Sequence, residues 1–272
     1  MVRMASTTRR VDINADLGEG YGTDEALLAI VSSANIACGF HAGDAETMRA
    51  VSRIAARNSV AVGAHPSFDD LGNFGRTVIK MSMDELESLV AYQIGVLAES
   101  AAESEVTLTH VKPHGALYNV ASEDEAHALA IGRAIRAVDP RLIYLGFGGS
   151  VMRRAADKLG LAFACEAFPD RQYTDEGQLA PRTAPLSVIT NPEDVSERVK
   201  RLLNDGLIPA ASGKLIPVEF DSLCVHGDEP TAVMVGRAVR RAVEDAGAVV
   251  APLSDIIKRD APALPDERLA SA

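Results

Sequence analysis

Short runs rich in β-formers recur along the chain: VDINAD, SANIACGF, VAVGAH, VTLTHV, LIYLGF, LAFACEAF, LSVIT and FDSLCVH. Most are followed by a stretch of helical periodicity. The helix starts carry recognisable signals: Asp44 as an N-cap before AETMRAVSRIAARN, S/TxxE capping boxes at Ser82 to Glu85 and Ser122 to Glu125, and the pair Asn191 and Pro192. Repeated strand-then-helix order predicts an α/β protein with a parallel sheet, either closed into a barrel or open with helices on both faces; periodicity suits both.

The first strand breaks the apolar pattern. Strand side chains alternate, so Val11, Ile13, Ala15 and Leu17 share one face while Asp12, Asn14 and Asp16 share the other. The apolar face suits a helix layer, and the polar face then points into the other side of the sheet, which in a barrel is the lumen. Buried carboxylates are costly there unless paired or bound to a cation, so a site explains this strand better than packing does.

Composition narrows the class. With 272 residues the chain is close to the roughly 250 of one α/β barrel, and 47% hydrophobic residues supply a core. One domain is therefore expected over 11–258, with loose ends at 1–10 and 259–272. The formal net charge of -11, without any dense Lys/Arg run, excludes a nucleic-acid surface. No segment has the run of about 18 apolar residues that a membrane span needs, and MVRMASTTRR lacks a signal-peptide apolar core; a cytoplasmic location is expected. Cys38, Cys165 and Cys224 lie in apolar runs without CxxC spacing, as reduced buried thiols do.

Five of the six histidines, His41, His65, His110, His114 and His226, fall at or just past the carboxyl end of an expected strand. That edge is where barrels and open α/β sheets bind ligands. In HVKPHG an extended chain aims His110, Lys112 and His114 to one side, and in CVHGD Cys224, His226 and Asp228 share a face. Glu19 and Asp170 join them at this edge. An Asp plus two His with open positions suits a divalent cation, and Asp16, His65 and His114 are the candidate ligands. The long stretches 66–83 and 169–185 are candidate covers over the site, and Arg76, Arg171 and Arg182 within them are candidate cations for an anionic ligand. Gly146, Gly148, Gly149 and Ser150 lie between a strand and a helix start whose amides suit a phosphate, although an ordinary turn would use the same glycines.

The stretches VDINADLGEGYG, SANIACGFHAGD, VAVGAHPSF, YQIGVLAE, HVKPHGALYN, DRQY and CVHGD together resemble the LamB/YcsF family, from about residue 11 to about residue 250. The resemblance implies a single seven- or eight-stranded β/α barrel of the glycoside hydrolase/deacetylase kind. It also implies ATP-dependent cleavage of 5-oxoproline to L-glutamate, together with subunits B and C. Thr77 departs from the family pattern, standing after Arg76 where a second arginine is usual. With that activity implied, Lys112 and Arg171 are expected at the phosphates, Asp12 or Asp16 with His114 at protons or a metal, and His226 at the lactam. Asn14, Glu19, His41, Arg76, Asp170, Arg171 and Asp228 are expected around the substrate, with Gly146, Gly148, Gly149 and Ser150 at ATP. Two alternatives stay open: a metal-dependent deacetylase or amidohydrolase that needs no ATP, and a substrate-binding subunit without chemistry of its own.

Overall fold

A computed structural model describes residues 8–257. In chain order its strands are β1 (Arg10–Leu17), β2 (Ser33–Ala37), β3 (Ala61–His65), β4 (Leu108–Val111), β5 (Ile143–Phe147), β6 (Phe163–Ala167), β7 (Leu207–Pro209), β8 (Leu215–Pro217), β9 (Ser222–Val225) and β10 (Val249–Val250). The helices are α1 (Asp24–Leu28), α2 (Ala45–Arg57), α3 (Met83–Ala102), α4 (Gly115–Glu123), α5 (Glu125–Val138), α6 (Val151–Leu159), α7 (Pro192–Asp205), α8 (Ala232–Asp245) and α9 (Leu253–Ile256). Strands β1 to β6 lie side by side in sequence order, β9 follows β6, and β9 also pairs with β1. The sheet is thereby a closed barrel of seven parallel strands, and β10 extends only the start of β1, through Arg10 and Val11. Closure settles what periodicity left open. The expected loose ends lie outside the described residues, apart from 8–10, where Arg10 already belongs to β1.

Three of the helix starts follow the expected chemistry. Asp44 accepts from the Thr47 amide, Ser82 and Glu85 form a reciprocal capping box, and Asn191 caps α7 with Pro192 in its first turn. The box expected at Ser122 and Glu125 does not form. Ser122 sits in the last turn of α4, and Asp124 caps α5 by accepting from the His127 amide at 2.9 Å. A carboxylate two residues nearer the helix outcompetes the serine.

LSVIT is the one run that makes no strand, contributing only a single bridge between Val188 and Arg171. The barrel is complete without it, and the segment lies among the loops after β6. Two elements went unforeseen: the β7–β8 hairpin and β10, both too short to show a period.

The alternation in β1 puts Val11, Ile13, Ala15 and Leu17 into the core between strands and helices. Asp12 faces inward, fully buried, and accepts from Ser32 Oγ at 2.7 Å, Ser33 Oγ at 2.6 Å and Ser222 Oγ. Burial, offset in part by these hydroxyls, pushes its carboxyl up to about 6. The folded protein thus holds this proton more tightly than the unfolded chain does, so the group's stabilisation is complete below its usual 3.8 and is lost as pH rises through about 6. Relative to the native protein, Asp12→Asn is expected to gain on the order of 2 kcal/mol between about pH 4 and pH 8. Urea unfolding of both proteins across that range measures the difference.

Candidate active site

Above Asp12 the lumen is filled by a polar network. Asn14 donates to Glu166 Oε1 at 2.9 Å and to Ser222 Oγ at 2.7 Å, and its own oxygen accepts from Asn35 at 2.7 Å. His110 Nε2 meets Asn35 Oδ1 at 2.9 Å, which places this ring inside the barrel rather than at its mouth. Lys112, just past β4, is 3% exposed and reaches Asp16 Oδ1 at 2.9 Å and Glu166 Oε1 at 2.8 Å. Burial alone would pull its ammonium down, but Asp16, Cys224 and Glu166 reverse that and hold it well above the usual lysine range. Asp16 responds in kind. Burial raises its carboxyl, yet His65 and Lys112 bring it well below the usual range, so it is ionised at neutral pH.

A second cluster lies beside the first. The rings of His41 and His114 stack at 3.7 Å, and His65 stands edge-on to both. His65 Nδ1 lies 2.7 Å from the Lys112 carbonyl and His114 Nε2 lies 2.9 Å from the Phe74 carbonyl. A carbonyl only accepts, so both of those nitrogens carry the proton. The remaining nitrogens, His65 Nε2 and His114 Nδ1, then face each other as lone pairs only 3.0 Å apart. That approach requires a proton or a cation between them.

A proton fits the charges. His65, pulled down by burial, is raised overall by the Asp16 carboxylate, while burial and the neighbouring imidazoles hold His114 well below its usual value. A cation fits the geometry equally. Glu19 Oε1 lies 3.0 Å from His41 Nε2, 3.4 Å from His114 Nδ1 and 3.9 Å from His65 Nε2. A tetrahedral ion bound at zinc-like distances sets ligand-to-ligand edges of about 3.4 Å. The two carbonyl bonds would orient the rings as such an ion needs.

The expected ligands divide accordingly. His65 and His114 sit with Glu19 and His41, whereas Asp16 touches His65 at 3.4 Å but groups with Cys224 and His226. Glu19 is itself pushed up to about 7, by burial and then by Asp16.

Both clusters open into one cavity of about 480 Å³, which Asp16, Glu19, Lys112 and His226 help to line. His226 Nδ1 lies 2.9 Å from Asp170 Oδ2, which also takes the His226 amide at 3.0 Å. This fixes the ring over Phe168. The long loops do cover the site, supplying Phe74 and Arg76 on one side and Arg171 and Arg182 on the other.

Several expected residues do not reach the cavity. Asp12 and Asn14 lie in the network below it. Gly148, Gly149 and Ser150 sit outside it, because their turn serves packing: a side chain at Gly148 would fall 2.7 Å from the Glu219 carbonyl, and Ser150 Oγ caps α6. Gly146 lies within β5, where Met152 occupies the space a side chain would take. Glu166 and Tyr118, whose hydroxyl donates to Glu166 at 3.1 Å, are the principal omissions. One charged residue inside the apolar run LAFACEAF was the available signal for Glu166.

Gly75 holds the histidine cluster together. Its φ is +65°, and an added Cβ would lie 2.8 Å from His114 Cδ2 and 2.9 Å from His41 Cβ. Gly75→Ala is therefore expected to cost about 1–3 kcal/mol in thermal unfolding and to lower any activity that uses these rings.

The LamB/YcsF family model matches residues 11–258. The A subunit of 5-oxoprolinase from Rhodopseudomonas palustris is 46% identical over 251 residues, 90% of this chain and 99% of that protein. Its counterpart in Streptomyces avermitilis is 48% identical over 246 residues, 89% and 98% of the two chains. Among solved structures, a lactam utilization protein from Thermus thermophilus superposes with a TM-score of 0.83 at 44% identity, covering 89% of this chain and 99% of that one. A deacetylase solved with substrate shares the fold, with a TM-score of 0.51 at 12% identity over 95% and 97% of the chains. Among the described residues no helix is long and apolar enough to cross a membrane.

Proposed function

Because this chain belongs to the LamB/YcsF family, we propose that it opens the lactam ring of 5-oxoproline to give L-glutamate at the expense of ATP, as the A component of an assembly with B and C subunits. The relatives' shared name supports the substrate and the assembly. The observation that carries the chemistry is Lys112 held charged between Asp16 and Glu166 at the floor of the cavity.

A lactam is a stable amide. Phosphoryl transfer from ATP to its carbonyl oxygen, with ADP leaving, makes the ring carbon attackable; water adds there, the C–N bond breaks as the nitrogen takes a proton, and a second water hydrolyses the resulting acyl phosphate to the side-chain carboxylate and phosphate. Developing negative charge on oxygen needs a fixed cation in a dry site, which Lys112 supplies. Water needs a proton acceptor. His226 has that orientation, since its Nδ1 proton is committed to Asp170 and its Nε2 is left for the cavity. Asp16 holds Lys112 charged and keeps both Lys112 and His65 in place. A divalent ion, if held by Glu19, His41, His65 and His114, would polarise a water or the carbonyl oxygen.

The test is glutamate release from 5-oxoproline by the chain with its B and C subunits, with and without ATP and with and without chelator. ATP-dependent release supports the reading. Hydrolysis by the chain alone without ATP, abolished by chelator, replaces it with a metal-dependent amidohydrolase. Site substitutions that weaken substrate binding but leave the partners' turnover intact replace it with a binding subunit. Elemental analysis of the native chain and of His65→Ala separates a proton from a metal between the histidines.

A further inference from the structure

The outer part of the cavity has a charge opposite to its floor. Arg76, Arg182 and Asp228 all line it, and each comes from a different loop, after β3, β6 and β9. A single oxygen, Asp228 Oδ2, holds Arg76 at 3.2 Å and Arg182 at 2.6 Å. Two guanidinium groups against one carboxylate leave a formal charge of about +1 at the rim. Their side chains are 48% and 30% exposed, against 3% for Lys112.

Arg171, expected to hold phosphate, is placed differently. It is buried and donates to the carbonyls of Ser187 at 3.2 Å and Ala180 at 2.7 Å, so it braces its own loop. Burial first, and then the nearby charge of Arg182, lowers its guanidinium from the usual range. The cavity's guanidinium groups not committed to backbone carbonyls are therefore those of Arg76 and Arg182 at this rim, while the ionised Asp16 at the floor repels an anion.

We propose that Arg76 and Arg182 form an oxyanion subsite in which Asp228 stands in for the ligand's own carboxylate or phosphoryl group. Guanidinium forks match both groups, and a half-exposed ion pair is weak enough for a ligand anion to displace. An entering ligand is oriented by this rim: its anionic end exchanges with Asp228, and its uncharged end reaches Lys112. For the lactam carboxylate this rests on the proposed 5-oxoproline reaction. For phosphate it does not.

The experiment is calorimetric titration of the full chain with inorganic phosphate, 5-oxoproline and 2-pyrrolidinone, which has the same ring without the carboxylate. Arg76→Gln and Arg182→Gln are each expected to weaken oxyanion binding about tenfold. Arg182→Lys, which keeps the charge, should recover part of the loss. Asp228→Asn should tighten inorganic phosphate several-fold, an effect that a merely structural clasp would not produce. Binding of 5-oxoproline but not 2-pyrrolidinone identifies the carboxylate as the group held; arginine-dependent binding of phosphate alone identifies a phosphoryl group.

Oxyanion binding that ignores both arginines, Asp228→Asn that binds phosphate no better than the native chain, or no oxyanion binding at all overturns the proposal. The glutamate-release assay fails or succeeds independently. Arginine-dependent phosphate binding without turnover keeps the subsite and removes the proposed activity, and turnover with arginine-independent binding does the reverse.

Discussion

Lys112→Met is expected to destabilise the protein by about 3–5 kcal/mol, because it strips the cation from two buried carboxylates at once. Asp16 and Glu166 lie 2.9 Å and 2.8 Å from the ammonium, and Glu166 is fully buried. Methionine fills the volume, so the loss reports charge and not a cavity. Urea unfolding measures it. Adding Glu166→Gln should return part of the stability without returning turnover, since one of the two orphaned charges is then gone. A double variant as unstable as Lys112→Met alone would show that the carboxylates are not what the lysine stabilises. In the assembled enzyme the single variant should lose about 100-fold or more in glutamate release, the scale of removing a fixed charge from an oxyanion.

Asp16→Asn should separate function from fold. Asparagine keeps the size and can keep the contact with Asn35 at 2.8 Å, and Lys112 retains Glu166 as its counter-charge. The stability cost is therefore expected below that of Lys112→Met, about 1–2 kcal/mol. Turnover should nonetheless fall about 100-fold to 1000-fold. Without Asp16, burial regains its hold on His65, whose raised affinity for a proton depends on that carboxylate. Titration of the His65 ring by NMR should then move to lower pH. An unshifted ring, or near-native turnover, would remove Asp16 from the electrostatics of the site.

Much of this was legible in the sequence because strand periodicity is short-range. Alternation in VDINADL separates the core face from the lumen face without any knowledge of partners, and the histidines at strand ends, His110 excepted, mark one rim. What alternation does not give is depth. Asp12 and Asp16 share a face, yet Asp12 is buried among serines while Asp16 meets the cavity. Depth follows from the stagger between strands, which pairs Asp12 with Ser222 and Asp16 with Asn35.

Glu166 escaped notice for a related reason. Its importance lies in reaching Lys112 and Asn14, which are remote in sequence. The glycine turn at 146–150 shows the opposite ambiguity, since close packing and phosphate binding ask for the same residue. LSVIT has strand composition, but the barrel had no vacant neighbour for it.

The pairing of β1 with β9 also sets an order of events during synthesis. Strand β1 leaves the ribosome before the other barrel strands, and the barrel around it closes only when residues 222–225 follow. Until then Asp12 and Asn14 lack the Ser222 hydroxyl that each of them uses. A nascent chain therefore carries an open edge and half-solvated acids through most of its translation, and such edges are where chaperones or misassembly intervene. Stop codons upstream of β9 should leave aggregation-prone fragments and not smaller working barrels.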